Sequence, residues 1–221
     1  MAKAIRDASG VVQITLGGTI VPQVGDLIGY NGTNFQFADA NANPVIPAEF
    51  MVMSPADAAD ANGDAVCNVC TRGILYDSTA PFTLGAKQYL SATATTGNTM
   101  TATIPAASAT LTLLQRVGIA ISTDLVAFDL NVQGPLRMRI TASVDPASAN
   151  TDTTQDLAVT LTGVVANDYI QAYPPALVQG VAIQGPMVAS TDTVTIGIDN
   201  QSAGTVNGGA LTWTFIVTRD G

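Results

Sequence analysis

Four oxygen-bearing side chains form the densest cluster of potential metal ligands in the sequence: Asp57, Asp60, Asn62 and Asp64. Carboxylate and amide oxygens at such spacing can hold calcium. The spacing differs from that of an EF-hand loop, however, and no glutamate closes the cluster. We therefore expect a solvated acidic loop here and no metal site.

Two thiols, Cys67 and Cys70, form a single C-x-x-C pair. A structural zinc site needs four ligands, usually two such pairs or one pair with histidines, and the chain has neither. A thioredoxin-like site needs a βαβ context, whereas residues 65–72 have the pattern of a loop followed by a strand. We expect two reduced thiols that pack in the fold and point to opposite faces of a regular strand.

Catalytic patterns are weak throughout the chain. The sequence contains no histidine, which removes the commonest general base and metal ligand. No G-x-S-x-G motif marks a nucleophilic serine, and no glycine-rich loop with a lysine forms a phosphate cradle. Paired aspartates could cleave a glycosidic bond, but nothing favours any particular pair. We expect no enzyme, no catalytic residue and no cofactor.

Charge is sparse and mostly negative. Charged residues make up 11% of the chain, less than half of the usual ~25%, and the net charge is −9. The eight basic residues are scattered, and because nucleic-acid binding needs clustered lysine or arginine, we expect no nucleic-acid partner. With a mean hydropathy of +0.32, low surface charge favours contact with other protein chains. A sheet surface covered by threonine and serine is the alternative.

The chain shows neither membrane nor export signals. No apolar run approaches the ~18 residues that span a bilayer, and residues 1–7 lack the apolar centre of a signal peptide. We expect synthesis in a cytoplasm and no membrane partner.

The first part of the chain has strand and turn patterns. Asn31-Gly32 between two short apolar runs predicts a hairpin, because both residues tolerate positive φ. Residues 54–60 could form one short helical turn. Gly118 lies inside a strand pattern, which predicts a bulge or a close backbone approach. Short strands are expected at residues 65–75, 88–92, 99–104, 113–122 and 125–131.

The second part alternates more cleanly, and Gln133-Gly134-Pro135 marks the boundary. Residues 157–162, 194–199 and 211–218 place apolar side chains on one face, as in a sheet with one buried side. The sequence thus predicts an all-β protein: an N-terminal β-barrel-like domain (1–132) and a C-terminal antiparallel β-sandwich (136–221), with a linker near 133–135.

The segment from Asn167 to Pro175 combines tyrosines with a Pro-Pro pair. Proline cannot pair in a central strand, so we expect a sheet edge or an exposed loop. Exposed tyrosine is enriched at interfaces, which makes Tyr169, Tyr173, Pro174 and Pro175 candidate interface residues. An ordinary connection that covers the core is the alternative.

Two stretches resemble modules of tailed-bacteriophage virion proteins. In residues 64–131 the resemblance lies in Gly73-Ile-Leu-Tyr76, Thr83-Leu-Gly-Ala-Lys-Gln-Tyr-Leu-Ser91 and Arg116-Val-Gly-Ile-Ala-Ile-Ser122. In residues 144–219 it lies in Leu161-Thr-Gly-Val-Val-Ala-Asn-Asp-Tyr169, Pro174-Pro175 and Met187-Val-Ala-Ser-Thr-Asp-Thr-Val194. The opening Gly25-Asp-Leu-Ile28 also resembles capsid-decoration proteins.

The resemblance implies a virion component: a decoration (cement) protein, a head-fibre base or a tail structural subunit. The order of the two modules resembles a capsid decoration protein most, and the sparse, negative charge favours the outer surface of the head. That resemblance implies the major capsid protein and further copies of the chain, as a homotrimer, as partners, with synthesis in the host cytoplasm. It supplies no catalytic residue. Residues 1–10 are a candidate anchoring arm, since Lys3 and Arg6 are two of the few basic residues. A tail or head-fibre structural or receptor-binding protein is the alternative, and a polysaccharide hydrolase is a third hypothesis.

Overall fold

The computed structural model describes most of the chain and is entirely β, as predicted. The described residues are 3–17, 20–42, 44–54, 65–79, 81–92, 100–130, 135–145, 153–175, 181–205 and 209–219. Within these ranges every regular element is a strand. They contain no helix long and apolar enough to cross a membrane. The predicted helical turn at 54–60 falls almost wholly outside the described residues.

The described residues form eighteen strands, most of them short. In the first part they are β1 (Lys3–Ser9), β2 (Val12–Leu16), β3 (Leu27–Tyr30), β4 (Phe35–Phe37), β5 (Phe50–Val52), β6 (Ala65–Cys70), β7 (Arg72–Asp77), β8 (Lys87–Leu90), β9 (Met100–Thr101), β10 (Thr112–Leu113), β11 (Arg116–Ala120) and β12 (Leu125–Asp129). The later strands are β13 (Leu136–Val144), β14 (Thr153–Thr160), β15 (Tyr169–Tyr173), β16 (Val181–Ser190), β17 (Thr193–Asn200) and β18 (Leu211–Arg219).

The chain divides into two compact units. The first comprises residues 1–105 and 113–134, and the second comprises residues 106–112 and 135–221. The division at 134/135 lies within the predicted linker. Residues 106–112, which the sequence assigned to the N-terminal domain, group with the second unit, where the Thr141 N–H donates to the Ser108 carbonyl at 2.7 Å.

A closed barrel in the order β2-β4-β3-β5-β6 forms part of the first unit. Four of its strand pairs are antiparallel, and β2 meets β4 in parallel at Leu16 and Phe35. Alternate side chains point inward and form a buried cluster. That cluster includes Leu16, Ile28, Val52 and Val69.

The predicted hairpin is present between β3 and β4, which pair antiparallel. Its loop spans four residues, 31–34. The Asn31 side-chain oxygen accepts hydrogen bonds from the Thr33 and Asn34 N–H groups at 2.9 and 2.8 Å. Gly32 has a φ of 95°, a conformation that costs glycine little. The Asn-Gly signal therefore predicted the hairpin correctly, although the turn is longer than two residues.

A six-stranded sheet in the order β1-β7-β12-β11-β8-β9 completes the first unit. One of its faces is buried and includes Leu75, Val126 and Phe128. Gln115, next to β11, connects this sheet to the barrel. Its side chain accepts from the Ala48 N–H and donates to the Ala48 carbonyl, both at 2.7 Å.

The second unit contains two antiparallel sheets, one in which β18 lies between β13 and β15, and one in which β17 lies between β14 and β16. β13 and β18 pair without a register shift over their whole length. Alternation buries Trp213, Phe215 and Val217 from β18, and Val194 and Ile196 from β17. The Trp213 and Phe215 rings stack with centroids 6.3 Å apart. Each sheet thus has one buried and one outward face, as in a sandwich.

A buried ion pair fixes the end of β18 to the loop before β15. The Asp168 carboxylate, 1% exposed, pairs with Arg219. It accepts from Arg219 Nε and Nη2, both at 2.7 Å, and from the Val165 N–H at 2.9 Å. Arg219 Nη2 also donates to the Gly163 carbonyl at 2.9 Å. The hydrogen bond to Asp168 raises the pKa of Arg219, so the guanidinium stays charged.

Candidate interaction surfaces

The candidate arm, where the structure describes it, is strand β1, at one edge of the six-stranded sheet. β1 pairs antiparallel with β7, and its register shifts between Arg6 and Ser9. Residues 3–9 therefore belong to the fold of the first unit instead of forming a free arm. Whether this edge contacts a shell stays a prediction.

The two basic residues of β1 have different environments, because alternate side chains point to opposite faces. Lys3 Nζ lies 3.7 Å from the buried Asp77 carboxylate, and the Lys3 side chain is only 20% exposed. Arg6 is exposed and stacks over the Tyr76 ring, with Cζ 5.1 Å from the ring centroid. The structure thus uses Lys3 inside the unit and leaves Arg6 on the outward face.

The outward face of the six-stranded sheet is apolar. The register places its side chains in two neighbouring rows across β11, β12 and β7. We call this outward surface the six-strand face, and its residues are Ile119, Ala127, Ile74, Ile121, Leu125 and Tyr76. Ile119 is 41% and Ile121 is 43% exposed. Because contiguous apolar surface is uncommon on soluble monomers, this face is a candidate protein-binding surface.

Most charges on this face lie around the apolar centre, and one of them, the Arg6 guanidinium, stacks over the Tyr76 ring. In the register, Lys87 lies beside Ile119, and Arg6 lies beside Ile74. In the next row of the sheet, the Nε atom of the exposed Arg72 side chain lies 3.8 Å from the Oδ2 atom of the exposed Asp129 side chain. An apolar centre with a polar rim is the arrangement found in protein–protein interfaces.

The predicted tyrosine segment forms edge strand β15, which agrees with the expectation of a sheet edge or exposed loop. Tyr169 is 63% and Tyr173 is 51% exposed. Both point outward, and Tyr173 Oη donates to the Gln171 side chain at 3.2 Å. Pro174 follows the strand and is half-buried, and Pro175 is exposed.

The outward face of this sheet also carries two arginines on β13. The register with β18 aligns Tyr169 with Arg137 and Gln171 with Arg139, each pair separated by one β18 residue. Among the described residues, no carboxylate lies within ion-pair distance of either guanidinium. We call this the Tyr–Arg face: Tyr169, Gln171, Tyr173, Arg137 and Arg139.

The other sheet of the second unit has an outward face of opposite charge. Its β14 positions are Thr154, Asp156, Ala158 and Thr160, all exposed. Thr154 lies opposite Asp199 of β17, and its hydroxyl donates to the Asp199 carboxylate at 3.4 Å. We call this the acidic face, defined by Asp156 and Asp199. No outward side chain described on β14 or β17 is basic.

The thiols of Cys67 and Cys70 are both buried, and they are not joined to each other. Cys67 packs in the barrel cluster, and Cys70 Sγ lies 3.7 Å from the Met51 carbonyl, to which it donates. Burial raises the pKa of each thiol to about 11. Such thiols are poor nucleophiles near neutral pH.

Metal-binding clusters are not found in the part of the chain that the structure describes. Those ranges hold no group of three or more His, Cys, Asp or Glu side chains that could bind a metal ion. The Asp57, Asp60, Asn62 and Asp64 cluster lies outside them, so the expectation of a solvated loop stays a prediction.

Comparison with known proteins found no match for this chain among family models, curated proteins or solved structures.

Sequence reasoning did not identify the six-strand face. Its signal was nonetheless present, because residues 117–121 and 125–128 are apolar at nearly every position. A strand that is apolar on both sides is either buried on both faces or exposes an apolar one. The acidic face was also missed, since Asp156 and Asp199 are 43 positions apart and only the β14–β17 register brings them together.

Proposed function

We propose that this chain is a capsid decoration protein of a tailed bacteriophage. It binds the major capsid protein on the outer surface of the head and stabilises the assembled shell. Like such proteins, it acts as an oligomer, with a homotrimer as the expected state. The sequence resemblance in residues 64–131 and 144–219 supports this proposal.

The six-strand face is the observation that carries the proposal. Its apolar rows include Ile119 and Ile121, which are both more than 40% exposed. Contact with another protein would remove this apolar area from water. Burial of apolar area contributes about 25 cal/mol per Å². An all-β unit with such a face needs no catalytic group to stabilise a shell, since binding alone suffices.

The mechanism is thermodynamic linkage. A protein that binds the assembled shell but not free capsid subunits stabilises the shell by mass action, about 2.7 kcal/mol per site when its concentration is 100 times the Kd. A net charge of −9 would oppose contact with packaged DNA. The outer surface of the head is therefore the proposed location.

The test is to add purified protein to undecorated heads of the phage that encodes it. We expect co-sedimentation with the heads and a higher melting temperature of the shell. Absence of both binding and a melting shift would refute the proposal.

A receptor-binding role on a tail or head fibre is the second candidate, and the exposed Tyr169 and Tyr173 favour it. Two tyrosine rings on one side of a strand could stack against sugars. In that case the soluble protein would bind host cells and block phage adsorption. A Tyr169→Ala, Tyr173→Ala variant would lose the block, whereas unchanged adsorption in the presence of wild-type protein would exclude this candidate.

A further inference from the structure

The two outward faces of the second unit carry opposite charge. The Tyr–Arg face has Arg137 and Arg139 at outward positions of β13, and no carboxylate stands at an outward position of β13, β18 or β15. The acidic face has Asp156 and Asp199. A chain with a net charge of −9 thus places two of its few cations together on one sheet.

The spacing of the charges also matches. Arg137 and Arg139 are two residues apart on one strand, which corresponds to about 7 Å. Asp156 pairs with Gly197, two residues from Asp199, and such diagonal neighbours lie about 7–8 Å apart. Two guanidinium groups of one face can therefore meet two carboxylates of the other at the same time.

We propose that the Tyr–Arg face of one copy binds the acidic face of a second copy. Contact between two Tyr–Arg faces, or between two acidic faces, brings like charges together and is unfavourable. The contact is therefore heterologous, joining unlike patches of identical chains. The exposed Tyr169 and Tyr173 rings add apolar area to this contact, in keeping with the enrichment of tyrosine at interfaces.

The size of the face sets the strength of the contact. The face is three strands wide, with strands about 4.8 Å apart, and nine residues long, at about 3.4 Å per residue. Its area is therefore roughly 400 Å² per copy. Stable complexes bury about 800 Å² per partner. A single contact is thus weak, so association depends on protein concentration and falls as salt screens the charges.

The arrangement of the faces also predicts the geometry of the assembly. The two faces belong to the two sheets of one sandwich and point away from each other. A heterologous contact between opposite sides adds copies in a row, whereas a closed ring requires the rotation between copies to complete a turn. In addition to the homotrimer proposed above, we expect this contact to produce a concentration-dependent series of larger species. This self-contact is independent of shell binding and can be measured without heads.

Sedimentation of the purified full chain tests the proposal. The wild type should associate as its concentration rises, and 1 M NaCl should weaken the association. Arg137→Glu with Arg139→Glu should weaken it about ten-fold or more, and so should Asp156→Arg with Asp199→Arg. Arg116→Glu, which reverses an exposed charge of the first unit outside the residues that define the six-strand face, should have no effect.

Two restoration experiments make the test specific. A chain with all four exchanges again has unlike faces, so its association should return. A mixture of the two double variants should associate more strongly than either variant alone, because each supplies the face that the other lacks. Trp213 fluorescence checks that each variant is folded, and Arg→Gln replacements serve where a charge reversal does not fold.

Three results would overturn the proposal. They are a monomeric wild type at every concentration, an oligomer that ignores both charge reversals, and failure of the four-fold exchange to restore association. Binding to polygalacturonate, an acidic glycan, is measured on the same variants. If the arginine double variant lost this binding while its sedimentation stayed unchanged, the Tyr–Arg face would be assigned to an acidic glycan instead. A charge-insensitive trimer that still binds heads would refute this contact and leave the proposed function intact.

Discussion

Replacement of Arg219 by methionine should destabilise the second unit strongly. The Asp168 carboxylate is 1% exposed, and Arg219 supplies two of its three described hydrogen bonds, both at 2.7 Å. Without the guanidinium, this carboxylate and the Gly163 carbonyl lose their charged donor in a buried site. Breaking one side of a buried ion pair costs about 3–5 kcal/mol.

The effect of Arg219→Met on unfolding depends on the size of this loss relative to the total stability of the second unit. A unit of this size has a free energy of unfolding of about 5–14 kcal/mol, at 0.05–0.15 kcal/mol per residue. With an m-value of about 1.5 kcal/mol per M urea, a loss of 3 kcal/mol lowers the midpoint by about 2 M. Trp213, the single tryptophan, is buried in the same strand and reports unfolding of this unit by fluorescence.

Arg137→Met is the matched control for this measurement. Arg137 is exposed on β13 of the same unit, and Trp213 reports its unfolding too. Surface substitutions of this kind change stability by no more than about 0.5 kcal/mol. If Arg219→Met cost less than about 1 kcal/mol, or no more than Arg137→Met, the reasoning about the buried pair would be refuted.

Three further changes act in the first unit. Gln115→Ala should cost about 2–4 kcal/mol in urea unfolding, because it leaves the buried N–H and carbonyl of Ala48 without the two 2.7 Å hydrogen bonds; a loss under 1 kcal/mol would contradict this. Gly29→Ala should prevent stable folding of the barrel, since a Cβ there would collide with the Pro47 carbonyl oxygen; a native circular dichroism spectrum with unchanged melting would argue against it. Burial raises the pKa of Cys67 to about 11, so the unfolded thiol ionises first as pH rises from about 9 to about 11, and stability falls in that window. Cys67→Val should make this fall shallower in urea unfolding at each pH, and equal slopes would disprove the coupling.

Local signals in the sequence predicted much of the fold. Alternation in residues 211–218 predicted the one-sided burial of β18, because the period of two follows directly from strand geometry. Gly118 predicted a bulge or a close approach, and both occur. The register shifts between Arg116 and Gly118, and a Cβ at Gly118 would lie 2.6 Å from the Ala127 carbonyl oxygen.

Features that depend on distant residues could not be predicted. The ion pair between Lys3 and Asp77 arises from the β1–β7 register, and it removes Lys3 from the outward surface where an anchoring role would need it. Residues 106–112 group with the second unit although they precede the predicted boundary. The six-strand face exists only after three strands align, and no single segment shows which of its apolar sides becomes buried.

Binding of the chain to undecorated heads, measured as an isotherm for matched variants, tests the central claim most directly. Ile119→Lys places a charge in the six-strand face at a residue 41% exposed, and Val165→Lys makes the same chemical change at a residue of the second unit that is 42% exposed. We predict that wild type and Val165→Lys bind the heads and raise their melting temperature, whereas Ile119→Lys binds at least ten-fold more weakly. Equal binding by the two variants would contradict docking through the six-strand face, and failure of the wild type to bind would contradict the decoration role itself.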